Sequence, residues 1–316
     1  MRSARLSAFS PPSPALPFRL PFAISLRVGC WPLGQPNATR ERNLSETINP
    51  PQLNTIRIEI DGEIGTLTLD RPDAFNAMSP EMIGEMTVAF GWLADRAPLR
   101  GLIITGSGKA FCAGGDVTWF RKGVESGEID LPSDVRRGAE VLHQAIIDLR
   151  RIPYPVVGAI NGPAAGAGFS LALACDIRIA ASTAFFAPAY GRIGASPDGG
   201  MTYFLPRVVG PSKALEILLD DPNMNAEEAK ELGLVSEVVG PEELMQRAQV
   251  RTAELAKKAP HYVRMAKKLV GVSIENSIND HLQLERHGIA DSMATEDLRN
   301  GVETFFSGGT PEFHGR

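Results

Sequence analysis

The stretch from Pro155 to Ala180, PVVGAINGPAAGAGFSLALACDIRIA, constrains the fold of this chain more than any other. Pro155 to Ile160 reads as a short apolar strand, Phe169 to Cys175 as a buried helix, and Asp176 to Ala180 as a further strand. The eight residues joining the first strand to the helix, NGPAAGAG, hold three glycines and three alanines. Side chains this small let a helix and a sheet approach closely. The strand-turn-helix order also leaves free N–H groups at the helix start, where negative charge is favoured. On the residues alone, a close-packed turn and an anion or oxyanion receptor are equally well supported. A P-loop is excluded, because no Gly-Lys-Ser/Thr follows, and the dinucleotide fingerprint G-x-G-x-x-G does not fit.

Other segments repeat the alternation. NTIRIEIDGEIGTLTLDRP reads as a hairpin, with Ile56, Ile58 and Ile60 alternating with polar residues and Asp61-Gly62 at the turn. Ser79 and Pro80 are placed to start a helix, with Glu81 in its first turn. RGLIITG (100–106) is another apolar strand and 136–151 is helical. Strands alternating with helices argue an α/β layout. From Pro211 the pattern turns mainly helical, over 211–219, 226–232, 241–257, 259–270 and 274–288. We therefore expect a core domain over 54–250 and a helical region over 251–316. The segment from Thr118 to Arg136, containing RKGVESGEIDLPSD, reads as a mobile surface loop.

Residues 1–40 hold five arginines and seven prolines but neither lysine nor acid, so 1–53 reads as an extension outside the fold, disordered or resembling a transit peptide. The net charge of −5 gives no footprint for nucleic acid. The longest uncharged run, Ile152 to Cys175, is broken by Asn161, three prolines and several glycines, so no membrane span is expected. Three scattered cysteines argue a reducing compartment, and the cytoplasm is the expected location. His143, His261, His281, His287 and His314 match no metal motif and read as surface or interface residues; no metal and no cofactor are expected.

A second glycine-rich turn follows a strand in GLIITGSGKAFCAGGDV (101–117), where Gly114-Gly115 again offers backbone donors. It reads either as a flexible loop or as half of a two-donor oxyanion hole. In FFAPAYGRIGASPDGGMTYFLPRVVG (185–210), Asp198 between Pro197 and Gly199 is either turn chemistry or an acid/base on a rigid turn.

LDRPDAFNAMSPEM, GKAFCAGGDV, NGPAAGAGFSLALACDIRIA and GASPDGGMTYFLPRVVG together, in this order and spacing, resemble the crotonase, or enoyl-CoA hydratase/isomerase, superfamily. The resemblance spans about 54–316. Within it AAGAG, SPDGG with LPRVVG, LQLER and the tail GVETFFSGGTPEFHGR are most similar to the 1,2-epoxyphenylacetyl-CoA isomerases. It implies a spiral of β-β-α units ending in a helical region that assembles trimers, often paired into hexamers, and an acyl-CoA thioester as substrate.

The resemblance also implies roles. The N–H groups of Gly115 and Ala167 would hold the thioester oxygen. The two glutamates of the family's hydratases match Ser170 and Tyr190, so both carboxylates are missing here and ordinary hydration should be weak or absent. A tyrosine with a pKa near 10 is poorly suited to neutral proton abstraction. Asp198 matches the aspartate that moves protons in the phenylacetate-pathway and dienoyl-CoA isomerases. The expectation is an isomerase that shifts a double bond or rearranges a ring epoxide, with Asp198 as both base and acid. A hydratase using Asp198 alone and an idle CoA-binding or assembly subunit are the alternatives. Ser170 and Tyr190 could position the acyl group or a water, or simply pack. Arg71, Ala110, Phe111, Ala113 and Lys267 are the expected CoA contacts. Phe185, Phe186 and Phe204 are expected in the core. Cys112 lacks a histidine nearby in sequence and is not expected to act as a nucleophile.

Overall fold

The structure, a computed structural model, describes residues 49–126 and 130–316. The extension expected over 1–53 lies outside these residues as far as residue 48. Strands β1 (Ile56–Asp61) and β2 (Ile64–Leu69) form the expected hairpin, running antiparallel from Ile56 opposite Leu69 to Asp61 opposite Ile64. Helix α1 (Pro80–Asp95) begins where Ser79 and Pro80 announce it: Ser79 Oγ accepts the Met82 N–H at 3.2 Å. It buries Met82, Met86, Ala89, Phe90 and Leu93 on one helical face. Next come β3 (Gly101–Gly106), α2 (Val117–Ser126) and α3 (Leu131–Arg151), with α3 lying against α1. The glycine-rich region supplies β4 (Val156–Ile160), the two-residue β5 (Ala164–Ala165), α4 (Ala167–Ala174), β6 (Ile177–Ala181) and β7 (Phe185–Ala187). Helices α5 (Met201–Val209) and α6 (Pro211–Asp220), strand β8 (Met224–Asn225), helix α7 (Ala226–Glu231) and strand β9 (Glu237–Val239) complete this part. Four helices close the chain: α8 (Leu244–Ala256), α9 (Pro260–Val272), α10 (Ile278–Met293) and α11 (Glu296–Ser307).

The main sheet has the order β1-β2-β3-β4-β6-β9 and is parallel from β2 onward. A second ladder runs beside it. Met78 bridges Gly115, Cys112 bridges Ala164, β5 pairs with β7, and β7 with β8. Each circuit of the chain thus adds one strand to the main sheet, one short piece to the second ladder and a helix outside them. This is the spiral of β-β-α units.

In the main sheet the central strands β3 and β4 are buried on both faces, as strands within parallel sheets are. On one face Leu67, Leu69, Leu102, Ile104, Val156 and Ile160 join the large core. On the other, Ile103, Val157, Ala159, Ile179 and Ala181 pack against Leu244 and Ala248 of α8. Helix α8 therefore belongs to the sheet it covers and straddles the boundary expected at residue 250. Phe186 is fully buried, with its ring 5.5 Å from that of Phe169, while Phe185 and Phe204 are half-buried.

The loop expected over Thr118 to Arg136 is a correction. Residues 117–126 are helical, and α3 begins at Leu131, five residues before the expected start. Asp116 Oδ1 accepts the Thr118 N–H at 3.1 Å, and its carbonyl accepts from Trp119 and Phe120, so this side chain and carbonyl start α2. Asp130 does the same for α3 through the Ser133 N–H. The polar surface of these helices hid their period.

Among the described residues no helix is long and apolar enough to cross a membrane.

Candidate active site

The two glycine-rich turns meet. Gly166 caps α4 with φ 52° and ψ −127°, backbone that glycine alone adopts readily, and its N–H donates to the Ala187 carbonyl of β7 at 3.0 Å. Ala167 is the first residue of the helix, so its N–H has no acceptor within it. In the other turn, Met78 donates to the Gly114 carbonyl at 2.7 Å and accepts from the Asp116 N–H at 3.1 Å. Parallel pairing of this kind turns the N–H of the intervening Gly115 to the opposite side. Among the described residues neither N–H, that of Gly115 or that of Ala167, has a hydrogen-bond partner.

The glycines show how closely the turns are pressed together. A Cβ on Gly114 would lie 2.8 Å from the Ala165 carbonyl oxygen and 3.4 Å from the Ala167 nitrogen. One on Gly168 would lie 2.1 Å from the Cys112 carbonyl oxygen. Close approach explains the small side chains, and it brings the free N–H of Ala167 beside the Gly114-Gly115 turn. Gly168→Ala is expected to destabilise the fold by about 3 kcal/mol or more, because the clash is with backbone that cannot swing aside. Thermal or denaturant unfolding measures this directly.

Arg71 is committed to holding this region together. Its guanidinium pairs with Asp116 at 3.1 Å and donates to the Ala77 carbonyl, while its N–H donates to Asn76 Oδ1 at 2.8 Å. Asn76 in turn donates to the carbonyls of Ser107 and Ala110, at 2.9 and 2.8 Å. The side chains of Ala110 and Phe111 are wholly buried, whereas Ala113 is exposed. Burial pushes the Cys112 thiol up to about 12, which leaves it unreactive and agrees with a packing role.

Lys267 lies elsewhere. Its Nζ is 2.6 Å from Asp176 Oδ2 and donates to the Tyr154 carbonyl at 2.8 Å, with the Arg150 guanidinium 2.9 Å from the other Asp176 oxygen. Burial pushes the Lys267 pKa down, and the Asp176 carboxylate opposes that shift. This ammonium ties α9 to Asp176 and the Tyr154 carbonyl, which take two of its three N–H groups. Lys267→Met is expected to cost about 3 kcal/mol of stability while moving the KM for a CoA thioester less than about twofold, since under roughly 0.4 kcal/mol separates such values.

Ser170, Tyr190 and Asp198 form one cluster, although 28 residues separate the first from the last. Ser170 stands three residues into α4 from Ala167, about 4.5 Å along the axis. Its Oγ donates to the Asp198 carbonyl at 2.9 Å and lies 3.3 Å from the Tyr190 hydroxyl. Tyr190 donates to Asp198 Oδ1 at 2.7 Å and lies 3.2 Å from the Asp198 carbonyl. Burial, together with the neighbouring Asp198 charge, pushes the Tyr190 phenol far above its ordinary pKa, so it stays neutral and donates. Ser170 is fully enclosed and Tyr190 nearly so, while Asp198 is half-buried. The His143 ring joins from α3, where Nε2 accepts the Gly199 N–H at 3.4 Å, although the residue is exposed as expected.

The turn carrying Tyr190 is strained and clasped. Ala189 has φ 61°, which costs a non-glycine residue about 1 kcal/mol or more. Asp221 holds it, accepting the N–H of Ala189 at 2.6 Å and that of Arg192 at 3.2 Å. Asp116, Asp221 and Asp176 went unread in the sequence because their partners lie 20 to 45 positions away or more, where spacing carries no signal.

The enoyl-CoA hydratase/isomerase family model matches residues 59–316. A protein of Rhodobacter capsulatus named "Probable enoyl-CoA hydratase" is 38% identical over 263 residues, covering 83% of this chain and 99% of that one. The 1,2-epoxyphenylacetyl-CoA isomerase of Escherichia coli is 34% identical over 251 residues, covering 79% and 95%. The crystal structure of an enoyl-CoA hydratase from Bacillus anthracis superposes with a TM-score of 0.77 at 30% identity, covering 83% of this chain and all of that one. With its β-β-α spiral and helical C-terminal region, the chain belongs to the enoyl-CoA hydratase/isomerase family and has the crotonase fold.

Proposed function

We propose that the chain is a CoA-thioester isomerase in which Asp198 moves the proton and the N–H groups of Gly115 and Ala167 hold the thioester oxygen. The observation that carries this reading is the cluster around Asp198: its two neighbours, Ser170 and Tyr190, are neutral donors, so one carboxylate serves the site. In the mechanism, a carboxylate oxygen of Asp198 takes a proton from a carbon activated by the thioester. The C–H electron pair moves toward the carbonyl, and negative charge gathers on its oxygen, opposite the two N–H groups. The enolate then takes the proton back at a carbon further along the chain, and the double bond has moved. A ring epoxide can open by the same withdrawal of charge. No water is consumed, so one acid/base group suffices.

The 34% identity to the E. coli 1,2-epoxyphenylacetyl-CoA isomerase supports this reading. A second reading, hydration of a 2-enoyl thioester with water activated by Asp198 alone, is favoured by the hydratase names of several relatives. An idle CoA-binding or assembly subunit is the third. In the isomerase reading the pantetheine arm passes Ala113, and residues 251–316 assemble the chain as a trimer or a pair of trimers, which would cover the exposed rings of Phe305 and Phe306. Cys112 and Cys175, buried and free, suit a reducing cytoplasm.

Mass-resolved turnover of crotonyl-CoA, 3-hexenoyl-CoA and ring-epoxidised phenylacetyl-CoA tests the choice. Product of unchanged mass from either of the last two is expected. Gain of one water from crotonyl-CoA as the dominant reaction would establish the hydratase reading instead, and no turnover on any of the three would leave the idle subunit.

A further inference from the structure

The two oxygens of the Asp198 carboxylate are not equivalent. Oδ1 accepts the Tyr190 hydroxyl at 2.7 Å, while among the described residues Oδ2 has no hydrogen-bond partner. The donor is held firmly. The residue is nine-tenths buried, its backbone is set by the left-handed Ala189, and Asp221 clasps the N–H groups on either side of it. Strain kept in place by a dedicated clasp concentrates at positions whose aim matters. The main chain of Asp198 is fixed separately. Its carbonyl accepts from Ser170 Oγ at 2.9 Å and from the Met201 N–H at 3.1 Å. Ser170 and Met201 therefore hold the turn, and among the described residues the Tyr190 hydroxyl is the one hydrogen-bond partner that fixes the rotation of the carboxylate about its Cβ–Cγ bond.

We propose that Tyr190 is a positioning residue that occupies Oδ1 of Asp198 and leaves Oδ2 as the one oxygen that takes and returns the migrating proton. The proposal rests on the isomerase reading. In the first step the substrate C–H bond breaks and an O–H bond forms at Oδ2. In the second that O–H bond breaks and a C–H bond forms at the receiving carbon, so the carboxylate is regenerated and nothing is consumed. With Oδ1 capped by a buried phenol, the carboxyl cannot turn its new proton outward, and the hydrogen stays with the substrate. Without the phenol hydroxyl the carboxylate rotates freely, its proton meets solvent, and the oxygen facing the substrate is no longer fixed.

The test is turnover in D2O, using 3-hexenoyl-CoA and ring-epoxidised phenylacetyl-CoA, with deuterium at the receiving carbon read by mass spectrometry or NMR. Three proteins are compared: wild type, Tyr190→Phe and Asp198→Asn. Wild type is expected to return mostly protium. Tyr190→Phe is expected to give product deuterated nearly in full, with kcat lower by about tenfold to a hundredfold, the cost of a misaimed group, and KM little changed. A melting temperature close to wild type for Tyr190→Phe shows that the turn persists. A role confined to packing would lower the melting temperature and leave the isotope content where it was. Wild-type product already deuterated in full, or Tyr190→Phe product with the wild-type isotope content, overturns the proposal. If instead Asp198→Asn turns over like wild type, Asp198 is not the proton carrier and this proposal falls; if wild type acts on neither thioester, the isomerase reading falls and takes this proposal with it.

Discussion

Asp198→Asn is expected to lower kcat for double-bond migration by about a thousandfold, in the middle of the range that positioned acid/base groups contribute. The fold should survive the change. The amide keeps an oxygen that can accept the Tyr190 hydroxyl, and the Asp198 carbonyl keeps its bonds from Ser170 Oγ and the Met201 N–H. Thioester binding should also survive, because the carboxylate is no part of the turns that carry Gly115 and Ala167. Steady-state kinetics with a parallel binding titration reads all of this at once. Lost turnover with retained binding assigns the chemistry to Asp198. Undiminished turnover would remove it from the mechanism, and equal loss of both would point to a collapsed site.

Ala167→Pro is the second large effect. Ala167 is the first residue of α4, the one helical position where proline fits well and where the N–H is spare to the helix. The change replaces the N–H with a ring carbon, so it removes the donor and sets a methylene where the thioester oxygen would sit. Loss of one oxyanion donor costs about a hundredfold to a thousandfold in kcat, so this variant should melt near wild type and yet be nearly inactive. Contrast with Gly168→Ala, one residue further on, is instructive: there the added methyl meets the Cys112 carbonyl and the loss should be of stability. Two neighbouring changes with opposite signatures would separate the donor role of this helix start from its packing role.

Much of this was legible in the chain. Apolar runs such as Gly101–Gly106 and Val156–Ile160, rich in Ile and Val and bounded by Gly or Pro, read as buried strands, and Ser79-Pro80 marks a helix start by side-chain chemistry alone. The two glycine-rich turns were visible, and so was Asp198. What could not be read was mostly what depends on long-range closure. Helix α2 went unread because it is polar and starts on one aspartate, Asp116, whose other task is to pair with Arg71 across 45 positions. Arg71 and Lys267 read as contacts for CoA, and nothing in the sequence pointed to the carboxylate partner that each has far along the chain, Asp116 and Asp176. Tyr190 and Ser170 read as vacated catalytic positions. Only the folded chain shows that both turn toward Asp198 and supply it with neutral donors.

The central claim is geometric: a thioester oxygen between the N–H groups of Gly115 and Ala167, with its activated carbon facing Asp198. A crystal structure of the Asp198→Asn variant with 3-hexenoyl-CoA bound tests it most directly. The account predicts the thioester oxygen at about 2.7–3.1 Å from both nitrogens, and the carbon that loses its proton within about 3.5 Å of the side chain at position 198. A thioester oxygen bound elsewhere, or a side chain at 198 turned away from the acyl carbons, would contradict it.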